Sequence, residues 1–547
     1  MTHNGDVSVS KNTEPILPKK SSDPKLGKTI SIATAIMMGS VFLSRITGLL
    51  REQVMAHFGG TGLGIDAYVS AFFIPEMLNH FLAGGFLSVT FIPIFQRYII
   101  KGERDRGWKS FSNLFCIGTL FFLVLIPLSM IFTPDILKMA GIGPDVKPEY
   151  FKTTVRLTRI VLPAQLFFYW GAFFSAVQMA EKRFFIPAIA PLCYNGGIIL
   201  GGIILGPRIG IDGFAWGVLF GAFLANMVVQ LPGALKIGLK FYPRFDFSDP
   251  DLMEYIRKSI PLVLGLSMTF SNEIFFRFFS ASLSQGTVAS VNYALRVMMM
   301  VVAMFGQASG AAFFPFLSKL ALEKKFEEMN DILNSVLSRI AVFLLPISGI
   351  MIVLSQQIIA IIYQRGHFDY QSTLQTASIF SVYLLGAFGF SASMIISRPF
   401  YAMQNTVLPM VVNTLIALLS VPLYVFFSRR MGGPGIALAT TLAVTSQFIV
   451  LYVIWNYRHA RWETVAKLVV SISKILLITS LGCAIGYLLK QWSLGINIPN
   501  FLLKNLTVCF ISTVPSFLLM IICYELTGVQ KVSDMIRKIT KRSCKTI

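Results

Sequence analysis

The sequence predicts an all-α protein that crosses a membrane many times, and three observations lead to this fold class. Hydrophobic residues make up 54% of the 547 residues and charged residues only 13%, whereas about 25% of the residues of an ordinary soluble domain are charged. The mean hydropathy is +0.68. The apolar residues also form runs of the roughly 20 residues that one membrane crossing needs. This composition excludes a water-soluble enzyme.

Fourteen membrane helices are predicted from apolar runs that end at charges or at Pro and Gly clusters. The predicted ranges are 29–58, 66–97, 111–133, 151–180, 184–206, 211–236, 255–282, 286–318, 332–362, 372–402, 405–428, 433–456, 464–489 and 500–527. Polar residues 1–28 predict a disordered cytoplasmic tail, and residues 531–547 predict a basic cytoplasmic tail.

The distribution of charge predicts the orientation. Lys and Arg number 47 against 26 Asp and Glu, a formal net charge of +21. The basic residues lie in short segments between apolar runs, so nucleic acid is not an expected partner. With the N-terminus in the cytoplasm, fourteen helices place most of these residues on the cytoplasmic side, as the positive-inside rule requires. Both termini are therefore predicted to be cytoplasmic.

The chain repeats itself with a constant offset of 222 residues. The matching pairs are Pro93 and Pro315, Ala180 and Ala402, Pro187 and Pro409, Gly213 and Gly435, and Ala215 and Ala437. Because the offset contains six predicted helices, an even number, the two copies have the same orientation in the membrane. The prediction is two parallel six-helix lobes around a central cavity, residues 29–240 and 241–460. Two extra C-terminal helices follow in residues 461–530.

Charged residues inside the predicted helices are the functional signal, because lipid makes each of them costly unless a partner or water offsets the charge. In the first helix, Arg45 and Glu52 are seven residues apart and share one face, about 10 Å apart along the axis, while Arg51 lies off that face. Arg45, Arg51 and Arg296 stand in early helices of the two lobes, where they would converge on one cavity. Their guanidinium groups suit bidentate binding of phosphate or pyrophosphate.

Structural ion pairs are the alternative interpretation of these charges. The second helix also carries Asp66, Glu76, Asn79 and His80, and the seventh carries Asn272, Glu273 and Arg277. Arg45 could pair with Glu52 or Asp66. For Arg277 we favour pairing with Glu273, which lies four residues earlier on the same helix.

The sequence contains no pattern typical of an enzyme. The six cysteines show no C-x-x-C spacing, and there is no Walker loop and no nucleophile set beside a base. We therefore expect no metal site, no disulfide framework and no cofactor. Active transport without an ATP site would use a coupling cation, Na⁺ or H⁺, or the membrane potential.

Several motifs stand out along the chain: the first-helix run FLSRITGLLREQVMAHFGG, the following DAY and FIPIF, and further along EKRFFIPAIAPLCYNG, VNYALRVMMM, YQRGHFD and AMQNTVLPMVVN. Together they resemble the MurJ (MviN-type) lipid II flippases, a family within the multidrug/oligosaccharidyl-lipid/polysaccharide exporter superfamily. The similarity extends from about residue 29 to 530. It implies an electropositive cavity between two lobes that close alternately on the two sides of the membrane.

The resemblance also implies the cargo, the location and the site. A member would move lipid II, the undecaprenyl-pyrophosphate-linked peptidoglycan precursor, from the inner to the outer leaflet of the bacterial cytoplasmic (inner) membrane, for cell-wall biogenesis and cell shape. The expected partners are this precursor and membrane lipids, with cell-wall synthesis proteins left open, and the expected state is a monomer. Family cavity positions are matched by Ser44, Arg45, Arg51, Asp66 and Arg296.

The chain departs from the family pattern at several positions. Asn79, His80 and Gly84 stand where the family usually has two arginines and then Glu, so one cavity arginine is missing, and Glu52 replaces the commoner Asp. For ion coupling, the family's seventh-helix Asp is absent, which leaves Glu273 as a displaced substitute beside Asn413. Two alternatives therefore stay open: a flippase for another polyprenyl-pyrophosphate-linked oligosaccharide, and a cation-coupled drug exporter.

Overall fold

A computed structural model describes residues 24–82, 90–144, 147–267, 271–459 and 462–528, and every regular element in these ranges is a helix. The all-α prediction is confirmed. Residues 24–28, assigned to the N-terminal tail from sequence, already belong to the first helix. The rest of that tail and the C-terminal tail 531–547 lie outside the described residues.

Twenty-two α-helices and two π-helical segments make up the described chain. They are α1 (Pro24–Gly59), α2 (Leu63–Ala71), α3 (Phe73–Leu82), α4 (Ile92–Ile100), α5 (Arg104–Met139), α6 (Pro148–Val161), α7 (Ala164–Ala180), α8 (Phe185–Ile209), α9 (Asp212–Phe223), a π segment (Leu224–Gln230), α10 (Leu231–Lys236), α11 (Pro250–Ser267), α12 (Ser271–Ala281), α13 (Thr287–Val302), a π segment (Ala303–Gln307), α14 (Ala308–Leu322), α15 (Phe326–Val353), α16 (Ser355–Tyr363), α17 (Tyr370–Leu385), α18 (Ala387–Ala402), α19 (Val407–Met431), α20 (Gly433–His459), α21 (Trp462–Leu494) and α22 (Phe501–Thr527).

Within the described residues, ten helical stretches are long and apolar enough to cross a membrane. An eleventh is obtained if α17 and α18, bent by 44° at Gly386, form one span. The other three predicted helices, 29–58, 66–97 and 255–282, are helical where they are described, but each includes residues whose side chains lie outside the description. The count of fourteen spanning helices therefore stays a prediction.

The 222-residue offset recurs in the backbone. Helices α8 and α19 begin and end at equivalent positions, as do the ends of α7 and α18. The pairs with left-handed backbone at this offset are Gly102 and Lys324, Lys182 and Gln404, and Gly210 and Gly432. The N–H of Arg183 donates to the carbonyl of Gln178, and that of Asn405 donates to Phe400 in the same way, at 2.8 and 2.9 Å. Residues at this offset therefore form turns of the same geometry at the ends of equivalent helices.

Burial separates inner helices from outer ones. In the most apolar window of α20, 56% of residues are buried, compared with 22% in α19 and α22. Large apolar side chains such as Leu419 and Phe510 are exposed on these outer helices. Such a surface is suited to lipid, which solvates apolar side chains as water does not.

Helices α21 and α22 pack together and onto α15. A separate apolar cluster joins Ala341 and Ile350 of α15 to Ile475 of α21 and to Val508 and Met520 of α22. The two C-terminal helices therefore form a second apolar core with α15, beside the main core, which α21 also reaches through Leu468.

Glycines let α8 and α9 approach backbone to backbone. A Cβ atom on Gly197 would lie 2.3 Å from the Cα of Gly221, and one on Gly201 would lie 2.5 Å from the Cα of Gly217. No real Cβ contact is that short, so the glycines set the distance between the two helices.

We predict that Gly197→Ala destabilises the protein whereas Gly196→Ala does not. The added methyl at Gly197 has no room, while a Cβ on Gly196 meets nothing within 4 Å. Overpacking should lower the free energy of unfolding by about 1–3 kcal/mol. Thermal unfolding of both purified variants in detergent checks this, and equal Tm values would contradict it.

Candidate binding cavity

A cavity of about 310 Å³ with a partly polar lining lies between the two halves of the chain. Its polar and charged lining consists of Arg51 and Glu52 of α1, Tyr68 of α2, Glu76 and Asn79 of α3, Gln165 of α7, Tyr194 of α8, Arg277 of α12, and Asn292 and Arg296 of α13. Because residues before 240 and after 270 share the lining, a movement of one half relative to the other would change the cavity.

Arg51 is held by its sequence neighbour. Its Nη2 donates to Oε1 of Glu52 at 2.5 Å and its Nη1 donates to Oδ1 of Asn195 at 3.3 Å. The buried Nε–H has no hydrogen-bond partner in the described part of the chain, so one donor stays open. Glu52 also accepts from Nδ2 of Asn292 at 3.3 Å, which connects α1 to α13.

A second ion pair joins the two halves across the cavity. Nη1 of Arg277 on α12 lies 2.5 Å from Oε2 of Glu76 on α3, and the arginine is buried. The predicted partner Glu273 and its neighbour Asn272 have side chains outside the described residues. Sequence reasoning did not place Arg277 in the cavity, although a charge within an apolar helix was the signal that could have done so.

Arg296 differs from the other two arginines of the cavity. It is exposed to the cavity, and no carboxylate lies within 4 Å of it in the described ranges. The described lining thus contains three arginines and two glutamates, a net charge of +1. The positive charge that no partner neutralises lies at Arg296.

Arg45 does not line this cavity. Its guanidinium donates instead to Oε1 of Gln307, so neither predicted alternative partner, Glu52 or Asp66, holds it. Six residues separate Arg45 from Arg51, which corresponds to about 9 Å along a helix. This difference in depth, which the six-residue spacing already implies, separates the two arginines.

Asp66 also lies outside the cavity lining. Its buried carboxylate accepts from the backbone N–H of Gly286 at 2.6 Å and from that of Ala289 at 2.8 Å. These groups belong to the first turn of α13, where unpaired N–H groups and the helix dipole favour a negative charge. Asp66 therefore joins α2 to the second half of the chain at one end of the cavity.

Backbone contacts close the same end. The N–H of His367 donates to the carbonyl of His57 at 2.9 Å. Gly60 and Gly366 both have positive φ, and a Cβ on them would lie 2.3 Å from the carbonyl oxygens of His367 and His57, respectively. Asp369 caps α17 beside this contact, and the backbone N–H of Ser372 lowers the pKa of its carboxyl.

Ion pairs join the two halves at the other end. Arg97 of α4 lies 2.6 Å from Asp251 and 3.1 Å from Glu254 of α11. The hydroxyl of Tyr98 donates to the Asp251 carboxylate at 2.7 Å. The two ends of the cavity are thus closed by different chemistry.

The remaining predicted site residues are dispersed. Asn79 lines the cavity, whereas Ser44 does not, and its carbonyl accepts from Thr47 at 3.0 Å. The side chain of His80 lies outside the described residues. Asn413 of α19 is away from the cavity, and its Oδ1 is buried without a partner. No group of three or more His, Cys, Asp or Glu among the described residues could hold a metal ion.

Comparison with known proteins gives consistent matches. The family described as "Lipid II flippase MurJ" matches residues 55–508. A "Probable lipid II flippase MurJ" of Borreliella burgdorferi is 23% identical over 93% of this chain and 98% of its own length. Another, of Rickettsia prowazekii, is 28% identical over 85% of this chain and 92% of its own length.

Solved structures share the fold. A lipid II flippase MurJ in an inward closed conformation superposes with a TM-score of 0.74 at 24% identity, over 90% of this chain and 99% of that one. An inward-facing multidrug resistance MATE family transporter gives a TM-score of 0.63 at 15% identity, over 75% of this chain and 93% of that one.

We predict that Glu52→Gln lowers the free energy of unfolding by about 2 kcal/mol. The amide keeps the volume but leaves Arg51 without its counter-charge, and the cost falls below the 3–5 kcal/mol of a fully buried pair because the Arg51 side chain is 21% exposed. Glu323→Gln is the control, since its pair with Lys325 is exposed and worth about 0–1 kcal/mol. Chemical denaturation of both variants measures the difference.

We also predict that Asp66→Asn loosens the end of the cavity that Asp66 closes. Loss of the charge at the α13 N-terminus should cost about 1–2 kcal/mol and raise the open population about five- to thirtyfold. Val69 also lines the cavity. A cysteine in its place reports the opening as faster labelling by an impermeant maleimide applied to one face at a time. Asp135→Asn, an exposed carboxylate, is the control. Equal labelling rates would contradict the prediction.

Proposed function

This chain belongs to the MurJ family of lipid II flippases, and we propose that the cavity between its halves holds the pyrophosphate of lipid II during alternating access. It is a multi-pass membrane protein and a transporter rather than an enzyme. It moves the lipid-linked precursor of peptidoglycan. The bacterial cytoplasmic membrane is accordingly its proposed location, with both termini in the cytoplasm.

The observation that supports the proposed site is that Arg296 and Arg51 share one cavity and that Arg296 has no acidic partner among the described residues. A pyrophosphate carries negative charge that lipid does not solvate. The guanidinium of Arg296 offers it charge-assisted, forked hydrogen bonds, and that of Arg51 offers them once the pyrophosphate displaces Glu52. Arg277 is held by Glu76 in the same way and is the third arginine of the cavity, whereas Arg45 donates to Gln307 outside the lining.

The volume of the cavity limits what it receives. About 310 Å³ is at the lower end of the range for small-ligand sites. The pyrophosphate and part of the adjoining sugar fit this space, and the prenyl chain has to stay in the bilayer. Flipping is thus proposed to move a polar group through the protein while the tail follows in lipid.

The repeated backbone supports the proposed mechanism. Equivalent turns at a 222-residue offset suit two parallel lobes, 29–240 and 241–460, related by an axis along the membrane normal. Asp66 and the backbone contacts around Gly60 and Gly366 hold one end of the cavity closed, and the ion pairs of Arg97 hold the other end closed. We propose that these contacts open in turn while α21 and α22 move with α15.

The energy source is proposed to be a cation gradient, of Na⁺ or H⁺, or the membrane potential. Asn413 offers one buried oxygen acceptor with an open lone pair, which fits one ligand position of a Na⁺ site. A monomer is the proposed working unit. Neither the drug exporter nor a flippase for another oligosaccharide is favoured, because the matching family is that of lipid II flippases.

We predict that Arg296→Lys and Arg51→Lys both impair transport. Lysine keeps the charge but loses the planar fork, so weaker binding by about 10- to 100-fold is expected. Depletion of the native protein in its host, followed by expression of each variant, tests this through growth and through lipid II accumulation on the inner leaflet.

The control is Arg208→Lys, an exposed arginine at the end of α8 away from the cavity. It should support growth like the unaltered protein. Full complementation by both cavity variants at normal membrane abundance would refute bidentate binding and leave an electrostatic role for the two arginines.

A further inference from the structure

A second cavity, which the proposed flipping mechanism does not use, lies on the outer side of the helices that line the first. This lateral groove has a volume of about 590 Å³. Its apolar walls include Met130 and Pro134 of α5, Phe151 and Ile160 of α6, and Trp216 and Leu219 of α9. The groove and the central cavity have no lining residue in common.

Three basic residues line the groove. Lys152, Arg156 and Arg159 are spaced four and three residues apart, so they share one face of α6. Arg156 pairs with Asp212 at 3.1 Å. Lys152 and Arg159 have no carboxylate within 4 Å in the described part of the chain, so the groove keeps two uncompensated positive charges.

A proline on the neighbouring helix fixes Arg159. Pro134 has no N–H, so the carbonyl of Met130, four residues earlier, loses its helical partner. Nε of Arg159 donates to that carbonyl at 2.9 Å. The guanidinium is therefore held at the groove, with its two terminal nitrogens available to an anion.

Helix length places these residues at the membrane surface. The stretch α6–α7 contains 33 residues, roughly 50 Å, whereas the hydrocarbon core is about 30 Å thick. Counting about 20 residues back from Ala180 reaches Ile160, so Arg159 lies at the inner edge of the headgroup layer and Lys152, two turns further out, lies at its outer edge. Trp216 is half exposed on this wall, as is typical of interfacial aromatic residues.

We propose that the lateral groove binds an acidic glycerophospholipid of the outer leaflet. Its phosphate lies on Lys152 and Arg159, and an acyl chain lies along the apolar wall. The leaflet follows from the orientation proposed above. External segments of this chain carry few basic residues, as the positive-inside rule predicts. The basic cluster at the groove is an exception, which we attribute to the anion that it binds.

The bound lipid would support the wall of the central cavity. Ile160 and Leu219 line the groove, while their sequence neighbours Val161 and Val218 line the central cavity. Helices α6 and α9 thus form a single layer between lipid and cargo. The separate linings favour a resident membrane lipid over a cargo lipid leaving the central cavity.

Native mass spectrometry of the full-length, delipidated protein tests the proposal. Equimolar dioleoyl phosphatidylglycerol and phosphatidylcholine are added, and the retained lipid is measured. The unaltered protein should retain phosphatidylglycerol preferentially. Lys152→Gln, which removes no hydrogen bond or ion pair that the described structure shows, should reduce this preference about fivefold, and Lys152→Gln with Arg159→Gln roughly 25-fold.

Arg208→Gln is the matched control, an exposed arginine outside the groove, and it should leave the preference unchanged. Equal retention of the two lipids by the unaltered protein, or an unchanged preference in Lys152→Gln, would overturn the proposal. Displacement of phosphatidylglycerol by undecaprenyl phosphate through the same residues would also overturn it and assign the groove to the cargo. The assay involves no transport, so its result is independent of the flippase test.

Discussion

The cost of an uncompensated charge inside a membrane protein governs the arrangement of the cavity. Two of its three arginines are held by glutamates, Arg51 by Glu52 and Arg277 by Glu76. The third, Arg296, faces open space. Each ion pair fixes the position of its arginine and lowers the free energy cost of burying the charge. An entering pyrophosphate would meet Arg296 first and then compete with the glutamates for the other two.

The same polar contacts also hold the halves of the chain together. Glu76 and Arg277 come from different halves, and so do Glu52 and Asn292. At the ends of the cavity, Asp66 binds backbone N–H groups and Arg97 binds carboxylates. Each closure consists of a few directional bonds, which water can replace at modest net cost. Opening a large apolar interface would cost more free energy, because apolar surface would be exposed to water.

The backbone repeats, but the charges of the cavity do not. Turns and helix ends recur at the 222-residue offset. At that offset Arg51 corresponds to Glu273, and Arg296 corresponds to Ile74. The repeated framework is therefore suited to a symmetrical rocking motion, while the proposed anion site lies at the interface of the two copies and the basic groove beside α6 belongs to one copy alone.

The sequence by itself determined the helical class, the membrane setting, the repeat offset and the family motif. These properties follow from the hydropathy, the spacing and the order of the residues along the chain. It also showed which helices carry charge, because a charge is conspicuous in an apolar run. Only the tertiary structure decided which charges meet. Arg277 contacts Glu76 on another helix, Arg45 turns to Gln307, and Asp66 caps a helix of the other half. Helix packing brings together partners that are far apart in sequence. Because packing depends on all the helices at once, the spacing of residues within one helix does not predict it.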